Sequence, residues 1–331
     1  MKALSQSETF AIGDISNQPR PRRLLPLGLS SAAVTLMLAL GAFTIAAADT
    51  DVCEQTAQAV FQSGELSAIS DYRLAFAKAF NITEPAARKA AKEEASEDLK
   101  DARATNKEQR AARLAACEKL GDGAYDPVIK PANFVYGVTN PYFPLTPGKT
   151  YIYEGQTLQG FEHSEFEVTR NTKVILGVTC VEVRDTVKHD GVLTEDTLDW
   201  FAQDKEGNVW YFGENTHELE DGLITTIDGT FMAGVNGDKP GIIMKALPKV
   251  GDFYRQEFSL ANAEDLAETL SVHEKVTMNA GTFTDCVKSQ ETTPLETDLL
   301  EHKFYCPGIG NVLTVDAKTG EKLELVRIET Q

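Results

Sequence analysis

The densest cluster of acidic and imidazole side chains in this 331-residue chain lies in the segment GENTHELEDG. Its Glu214 and His217 could hold a transition metal, because imidazole and carboxylate together suit such ions, and the neighbouring carboxylates could bind a hard cation. The alternative is a polar hairpin end that faces water. Only five histidines are present, and none has the close spacing of HExxH or HxH. The sequence therefore predicts no metal and no cofactor, with Glu214 and His217 as the candidate ligands should a metal bind.

Carboxylates that could hydrolyse a glycosidic bond occur in TEDTLDW, which contains Glu195, Asp196 and Asp199 beside Trp200. Such hydrolysis needs two carboxylates about 5–10 Å apart, yet Glu195 and Asp196 point to opposite faces of a strand. The chain contains no GxSxG elbow, catalytic-cysteine context, phosphate loop or dinucleotide fingerprint. A secreted hydrolase that uses carboxylates or a metal between Asp199 and His217 is the alternative function, and no catalytic residue is assigned.

Aromatic side chains on the predicted strands are the best candidates for ligand binding. Trp200, Trp210, Phe212 and Tyr254 would lie inside a curved sheet, where an unfilled concave face would form a lipophilic pocket. The alternative is that these rings fill the core. This pattern predicts an exported, non-catalytic envelope protein that binds an apolar small molecule or an envelope protein through the sheet. A structural or assembly factor is the third hypothesis.

The first 48 residues have the order of an export signal. Arg20, Arg22 and Arg23 precede a long apolar run that ends in Ala-Ala-Ala at residues 46–48. Residues 24–45 are also long enough to span a bilayer, so an uncleaved anchor is the alternative. The formal net charge of −18 repels nucleic acid and anionic lipids. We therefore predict a periplasmic or secreted protein, without a nucleic-acid partner, that meets the membrane only through an uncleaved N-terminal segment.

All five cysteines follow this segment, in a compartment where disulfide bonds persist. Cys53 and Cys117 bracket a helical region, so we expect a bond between them. Cys286 could pair with Cys306 across a hairpin or with Cys180 between other strands, and the spacing leaves both alternatives open. The odd count leaves one cysteine unpaired within the chain.

Residues 49–121 are rich in Ala, Glu, Lys and Arg, which favour helices. Thr83 is the expected N-cap of the long second helix, Gly121 marks its end, and Ser63-Gly64 is expected to break the first one. A helical hairpin or three-helix unit follows from this pattern. Residues 122–139 have the Gly, Pro and Asn content of a connector.

Residues 140–331 alternate polar and apolar side chains and contain frequent turn signals, as expected for nine to eleven strands joined by hairpins. A helix is possible at 261–270. The predicted fold class is α+β, with an N-terminal helical hairpin or bundle followed by a curved antiparallel β-meander that forms a half-barrel or a barrel-like sheet.

Several motifs in this region resemble a family of uncharacterised exported bacterial β-rich proteins: YFPLTPGKTYIYEG, AGTFTDC and YCPGIG. The resemblance covers about residues 138–328 and leaves the helical unit outside. The closing AGTFxDC…YxxPGxG element is also similar to periplasmic half-barrels of the lipoprotein-carrier type. The likeness implies a strongly curved antiparallel sheet with an apolar concave face, and it carries no catalytic motif.

Overall fold

The computed structural model describes residues 51–330. The predicted export signal, residues 1–48, lies outside this range. Two helices come first, α1 over Val52–Ala79 and α2 over Pro85–Leu120. Glu84, rather than the predicted Thr83, caps α2, because its carboxylate accepts hydrogen bonds from the N–H groups of Ala86 and Ala87. Gly121 ends the helix as predicted, at a φ of +87°.

The predicted break at Ser63-Gly64 is wrong, because α1 runs through both residues and the unit is a hairpin of two helices. Gly64 lies where α1 and α2 approach closely. A Cβ atom there would come within 2.5 Å of Oδ1 of Asn106 on α2. The glycine therefore permits helix packing instead of interrupting the helix.

Sixteen strands follow the helices, several more than the predicted nine to eleven. The first eight are β1 Phe134–Val135, β2 Lys149–Thr157, β3 Gly160–Ile175, β4 Val178–His189, β5 Val192–Asp204, β6 Val209–Glu220, β7 Leu223–Thr226 and β8 Phe231–Met232. The second eight are β9 Lys239–Met244, β10 Phe253–Arg255, β11 Glu257–Phe258, β12 Leu266–Met278, β13 Gly281–Thr292, β14 Glu301–Cys306, β15 Gly310–Asp316 and β16 Lys322–Thr330. The helix considered at 261–270 is absent, because β12 begins within that segment.

These strands form one antiparallel sheet, in which thirteen follow the order β10-β12-β13-β14-β15-β16-β2-β3-β4-β5-β6-β9-β11. Of the other three, β1 pairs with β5, and β7 and β8 pair with β6. The two ends of this order, β10 and β11, are separated by Gln256 alone. One extended segment therefore pairs with β12 through its first half and with β9 through its second, which nearly closes the sheet into a barrel. Gly241 of β9 lies so near this segment that a Cβ atom would come within 2.2 Å of the Gln256 backbone. The predicted α+β class with a barrel-like meander is confirmed.

The segment 138–145 crosses one end of the barrel and forms its floor. The side chain of Gln203 accepts the N–H groups of Thr139 and Asn140, each at 2.7 Å. At the other side, the N–H of Gly308 donates to the carbonyl oxygen of Pro141 at 2.7 Å. The segment is thus fastened across the barrel, and it inserts the ring of Phe143 between rings of β3, β5 and β14.

The sheet has a packed core on each face. The inner core includes Val168, Val183 and Val209. A second core contains Trp200 and Phe212, with Ile129 and Phe134 of the connector packed against it. Because the connector covers them, Trp200 of β5 and Phe212 of β6 are buried on the outside of the barrel, whereas Phe201 and Tyr211 of the same strands lie inside. Trp200 and Phe212 therefore do not belong to the apolar concave face that the family resemblance implies.

The helical hairpin packs against the outside of the barrel near the closing segment. Arg113 of α2 and Glu264 are 5% and 1% exposed, and they form a two-pronged ion pair with N–O distances of 2.7 and 2.9 Å. Lys119 pairs with Glu268 of β12 at 2.5 Å, nearer the surface. Among residues 51–330, no helix is long and apolar enough to cross a membrane.

Two disulfide bonds are present. The predicted Cys53–Cys117 bond joins the start of α1 to the end of α2. Of the two alternatives for Cys286, the structure has the hairpin bond to Cys306, since β13 and β14 are neighbours. Cys180 lies on β4 in the outer core and is unpaired and buried.

Removing the Cys286–Cys306 bond with the double variant Cys286→Ala and Cys306→Ala should lower the free energy of unfolding by about 3 kcal/mol. The reason is that the loop between the two cysteines is no longer closed in the unfolded chain, which gains conformational entropy. Urea denaturation measures this loss. Cys180→Ala is the control and should cost about 1 kcal/mol, since it removes one buried sulfur and no cross-link. Equal losses in the two variants would contradict the prediction.

Candidate functional site

The interior of the barrel contains a cavity of about 450 Å³. This volume is within the range of pockets that hold small molecules. Its lining combines aromatic rings with seven carboxyl groups and one lysine. The ionisable members are Asp185, Asp199, Glu214, Glu257, Asp265, Glu291, Glu301 and Lys303. No described residue of the helical hairpin lines it, so the barrel and its floor alone form the site.

The strand period and one bulge bring these carboxyl groups inside. Asp185 of β4 follows the buried Val183 by two residues, and Asp199 of β5 precedes the buried Phe201 by two. On β6 the register shifts at Gly213, which opposes Trp200, whereas Tyr211 opposes Phe201. Phe212 is thus the extra residue of a bulge, which turns Glu214 to the same side as Tyr211.

Asp199 and Glu214 are directly opposite each other on neighbouring strands. The hydroxyl of Tyr211 donates to Asp199 at 2.5 Å, and that of Thr216 donates to Glu214 at 2.9 Å. Burial, followed by the charge of Glu214, raises the pKa of Asp199 well above its usual value. Burial raises the pKa of Glu214 to about 7. Each carboxyl group therefore holds its proton to a higher pH than in water.

Two more lining carboxyl groups have raised pKa values. Burial, reinforced by the charge of Glu195, raises the pKa of Asp185 to about 7, although Ser164 donates a hydrogen bond to it at 3.1 Å. Burial also raises the pKa of Asp265 to about 6, against the opposing effect of Lys303.

The remaining carboxyl groups surround the only lysine of the lining. The ammonium group of Lys303 lies 3.0 Å from Glu291 and 3.3 Å from Glu301. Tyr305 and Ser289 also donate to Glu291, each at 2.8 Å. Burial opposes ionisation of Glu291, but Lys303 and these hydrogen bonds outweigh it and hold its pKa below the usual value. On this side of the cavity, the charges of Glu291 and Glu301 are therefore compensated by Lys303.

Gln256 and Glu257, at the point where the barrel closes, have buried polar atoms that the protein satisfies poorly. Gln256 is 2% exposed and Glu257 is 7% exposed, and both line the cavity. Nε2 of Gln256 forms no hydrogen bond, and the side chain of Glu257 has only the carboxyl group of Asp265 as a partner. A buried polar group without a partner costs about 1–3 kcal/mol. Nε2 of Gln256 is therefore a buried donor that a molecule in the cavity could satisfy.

The four aromatic residues predicted to bind a ligand do not share one site. Trp210 and Tyr254 line a second cavity of about 340 Å³, between the helices, the connector and the barrel. Trp200 borders a surface pocket, where the ammonium group of Lys173 lies 3.5 Å from its ring centroid. Phe212 is fully buried in the outer core. Their role in ligand binding stays a prediction.

Glu214 and His217, the candidate metal ligands, lie on opposite faces of β6. Glu214 lines the cavity, whereas His217 is opposite Asp196, which pairs with Arg184 on the outer face. Within residues 51–330, no group of three or more His, Cys, Asp or Glu side chains is arranged to hold a metal ion. The hydrolase alternative, placed between Asp199 and His217, stays a prediction.

Sequence reasoning missed Asp185, Gln256, Glu257, Asp265 and Lys303. Asp185 shares the face of Val181 and Val183 in TCVEVRDTV, so period two could have identified it as an inward acid. Gln256 and Glu257 gave no such signal, because the strand there changes partners.

No protein-family model matches the chain, and no curated protein matches it. One similar solved structure is that of a candidate lipoprotein from Parabacteroides distasonis ATCC 8503, with 14% sequence identity. The alignment covers 57% of this chain and 99% of that chain, with a TM-score of 0.33. A TM-score this low carries no argument about this chain. The resemblance to exported bacterial β-rich proteins therefore stays a prediction that rests on its motifs.

Proposed function

We propose that the protein is an exported, non-catalytic binding protein of the bacterial envelope that holds a small molecule inside its barrel. The observation that carries this proposal is the 450 Å³ cavity, whose lining includes Gln256 with an unpartnered Nε2 atom and a cluster of buried carboxyl groups. A bound molecule would supply the missing hydrogen bonds, which a packed apolar core would not need.

Two features support export. Residues 20–48 have the order of an export signal, and the two disulfide bonds are of the kind that persists outside the cytoplasm. The helical hairpin, which packs outside the barrel, fits the role of a spacer or partner-binding element better than that of a lid.

The lining of the cavity suits a ligand with both an apolar and a polar part, rather than the purely apolar molecule predicted from the sequence. Rings of Phe166, Phe201 and Tyr211 would contact an apolar body. The carboxyl groups require a polar part as well, because an apolar ligand would remove their water without replacing its hydrogen bonds.

Filling the cavity should abolish binding. We expect native mass spectrometry of the gently extracted protein to detect a bound small molecule, and Leu323→Trp to eliminate it, because Leu323 lines the cavity. Lys322→Trp is the matched control, since this neighbouring side chain is exposed. A wild-type protein without a bound mass, or a bound mass that survives Leu323→Trp, would contradict the proposal.

A further inference from the structure

Carboxyl groups outnumber basic groups in the cavity, and most of them lie away from its lysine. Lys303 is paired with Glu291 and Glu301, whereas Asp185, Asp199, Glu214, Glu257 and Asp265 line the same space. In the described part of the chain, none of these five carboxyl groups lies within 4.0 Å of a basic nitrogen. The protein thus presents five carboxyl groups that have no ion-pair partner among the described residues.

Such a cluster is costly unless a positive charge enters. Buried carboxylates favour the neutral form, and like charges directly opposite across a strand pair, such as Asp199 and Glu214, destabilise a sheet. Packed apolar residues would avoid this cost. A ligand that carries a positive charge would stabilise the ionised carboxylates, and it would donate hydrogen bonds to them, including the coupled pair of Glu257 and Asp265.

The walls favour an organic cation over a metal ion. Phe201 and Tyr211 stack with centroids 4.7 Å apart, and Phe143 packs against Phe201 and Tyr305. Aromatic faces attract ammonium groups and contact apolar carbon atoms. Among the described residues, no three of these acids are arranged to hold a metal ion together. Nε2 of Gln256 adds a donor for an acceptor atom of the ligand.

Resting on the proposed function, we propose that the barrel binds a compact organic amine, whose ammonium group lies among Asp199, Glu214 and Glu257 and whose apolar body contacts the aromatic wall. The cluster thereby acts as the recognition site for positive charge. Anionic molecules, including fatty acids, are rejected by the same carboxylates.

Matched compounds that differ only in the charged group test this inference. The probes are hexyl, phenylethyl and indolylethyl scaffolds, each carrying an amine, an alcohol or a carboxylate, and calcium serves as the inorganic cation. Isothermal titration calorimetry on the full chain gives the affinities. We expect at least one amine to bind about tenfold or more tightly than its alcohol, because a hydrogen bond between ionised groups is roughly twice as strong as one between neutral groups. The carboxylates and calcium should not bind.

Two variants locate the charge. Glu257→Gln and Glu214→Gln should each weaken amine binding by about tenfold and leave the alcohols within about threefold. Asp196→Asn is the control, because it is on the outer face of β5 and pairs with Arg184 at 2.7 Å, and it should leave amine affinity unchanged. Thermal denaturation verifies that each variant is folded.

The outcomes separate the two proposals. Binding of alcohols or carboxylates as tight as that of amines would overturn the amine inference while leaving a binding protein. The amine inference would also be overturned if calcium bound more tightly than every amine, or if Glu257→Gln and Glu214→Gln both bound amines with the affinity of the unchanged protein. If no amine binds, the inference is also overturned, whereas the co-purified mass still decides the proposed function.

Discussion

Replacing Arg113 by methionine is expected to lower the free energy of unfolding by about 3–5 kcal/mol. The methionine would leave Glu264, which is 1% exposed, without the guanidinium group that now bonds both of its oxygens. An unpaired charge in the interior is far more costly than the loss of a surface contact. Since this pair joins α2 to the barrel, the loss would also loosen the helical hairpin.

Urea denaturation followed by circular dichroism measures the effect, with two comparison variants. Lys119→Met breaks the neighbouring pair with Glu268, whose side chains are 51% and 25% exposed, and should cost less than about 1 kcal/mol. The double variant Arg113→Met and Glu264→Gln should recover part of the loss, because the amide is neutral and still accepts the N–H of Ala261. A loss with Arg113→Met no larger than that of Lys119→Met would refute the burial argument.

The thermal stability of the ligand-free protein should rise as pH is lowered from about 7.5 to about 5.5. In the folded protein the pKa values of Asp185 and Glu214 are about 7 and that of Asp265 is about 6, against ordinary values of 3.8, 4.5 and 3.8. Between these limits the folded protein binds more protons than the unfolded chain, so acid favours folding. Each such group contributes roughly 1.4 kcal/mol per pH unit. Asp199 and Glu257 act in the same direction.

The opposing groups are fewer in this window. Burial, with the charge of Lys288, lowers the pKa of His302, which favours the unfolded state as pH falls. Glu291 has a lowered pKa, so its stabilisation is lost only at more acidic pH. Differential scanning calorimetry of the double variant Asp185→Asn and Glu214→Gln should show a flatter profile. Asp196→Asn should not, since Arg184 lowers the pKa of this outward carboxyl group. A stability that falls between about pH 7.5 and 5.5 would disprove the prediction.

Sequence alone was sufficient where the determinants are local or covalent. Composition and period identified a helical unit before an antiparallel sheet, because helix propensity and strand alternation act over a few residues. The Cys53–Cys117 bond followed from the position of its members at the ends of that unit. Helix starts and breaks were less accurate. Glycine often breaks helices, but Gly64 lies within α1, where the absence of a Cβ atom leaves room for the side chain of Asn106 on α2.

Only the tertiary structure decided which face of the sheet encloses the cavity. The alternation of polar and apolar residues distinguishes the two faces of a strand but does not say which face points into the barrel. Here both faces of the sheet carry buried residues. The connector covers Trp200 and Phe212 outside, while a bulge at Gly213 turns Glu214 inward, against the alternation that would place it beside Phe212. Closure at Gln256 depends on pairing between segments far apart in the chain. The sequence by itself therefore identified the segment that resembles an export signal, the Cys53–Cys117 bond and the order of a helical unit before a sheet. The acidic interior arose from long-range register, because a single added residue in one strand exchanges the side chains of its two faces.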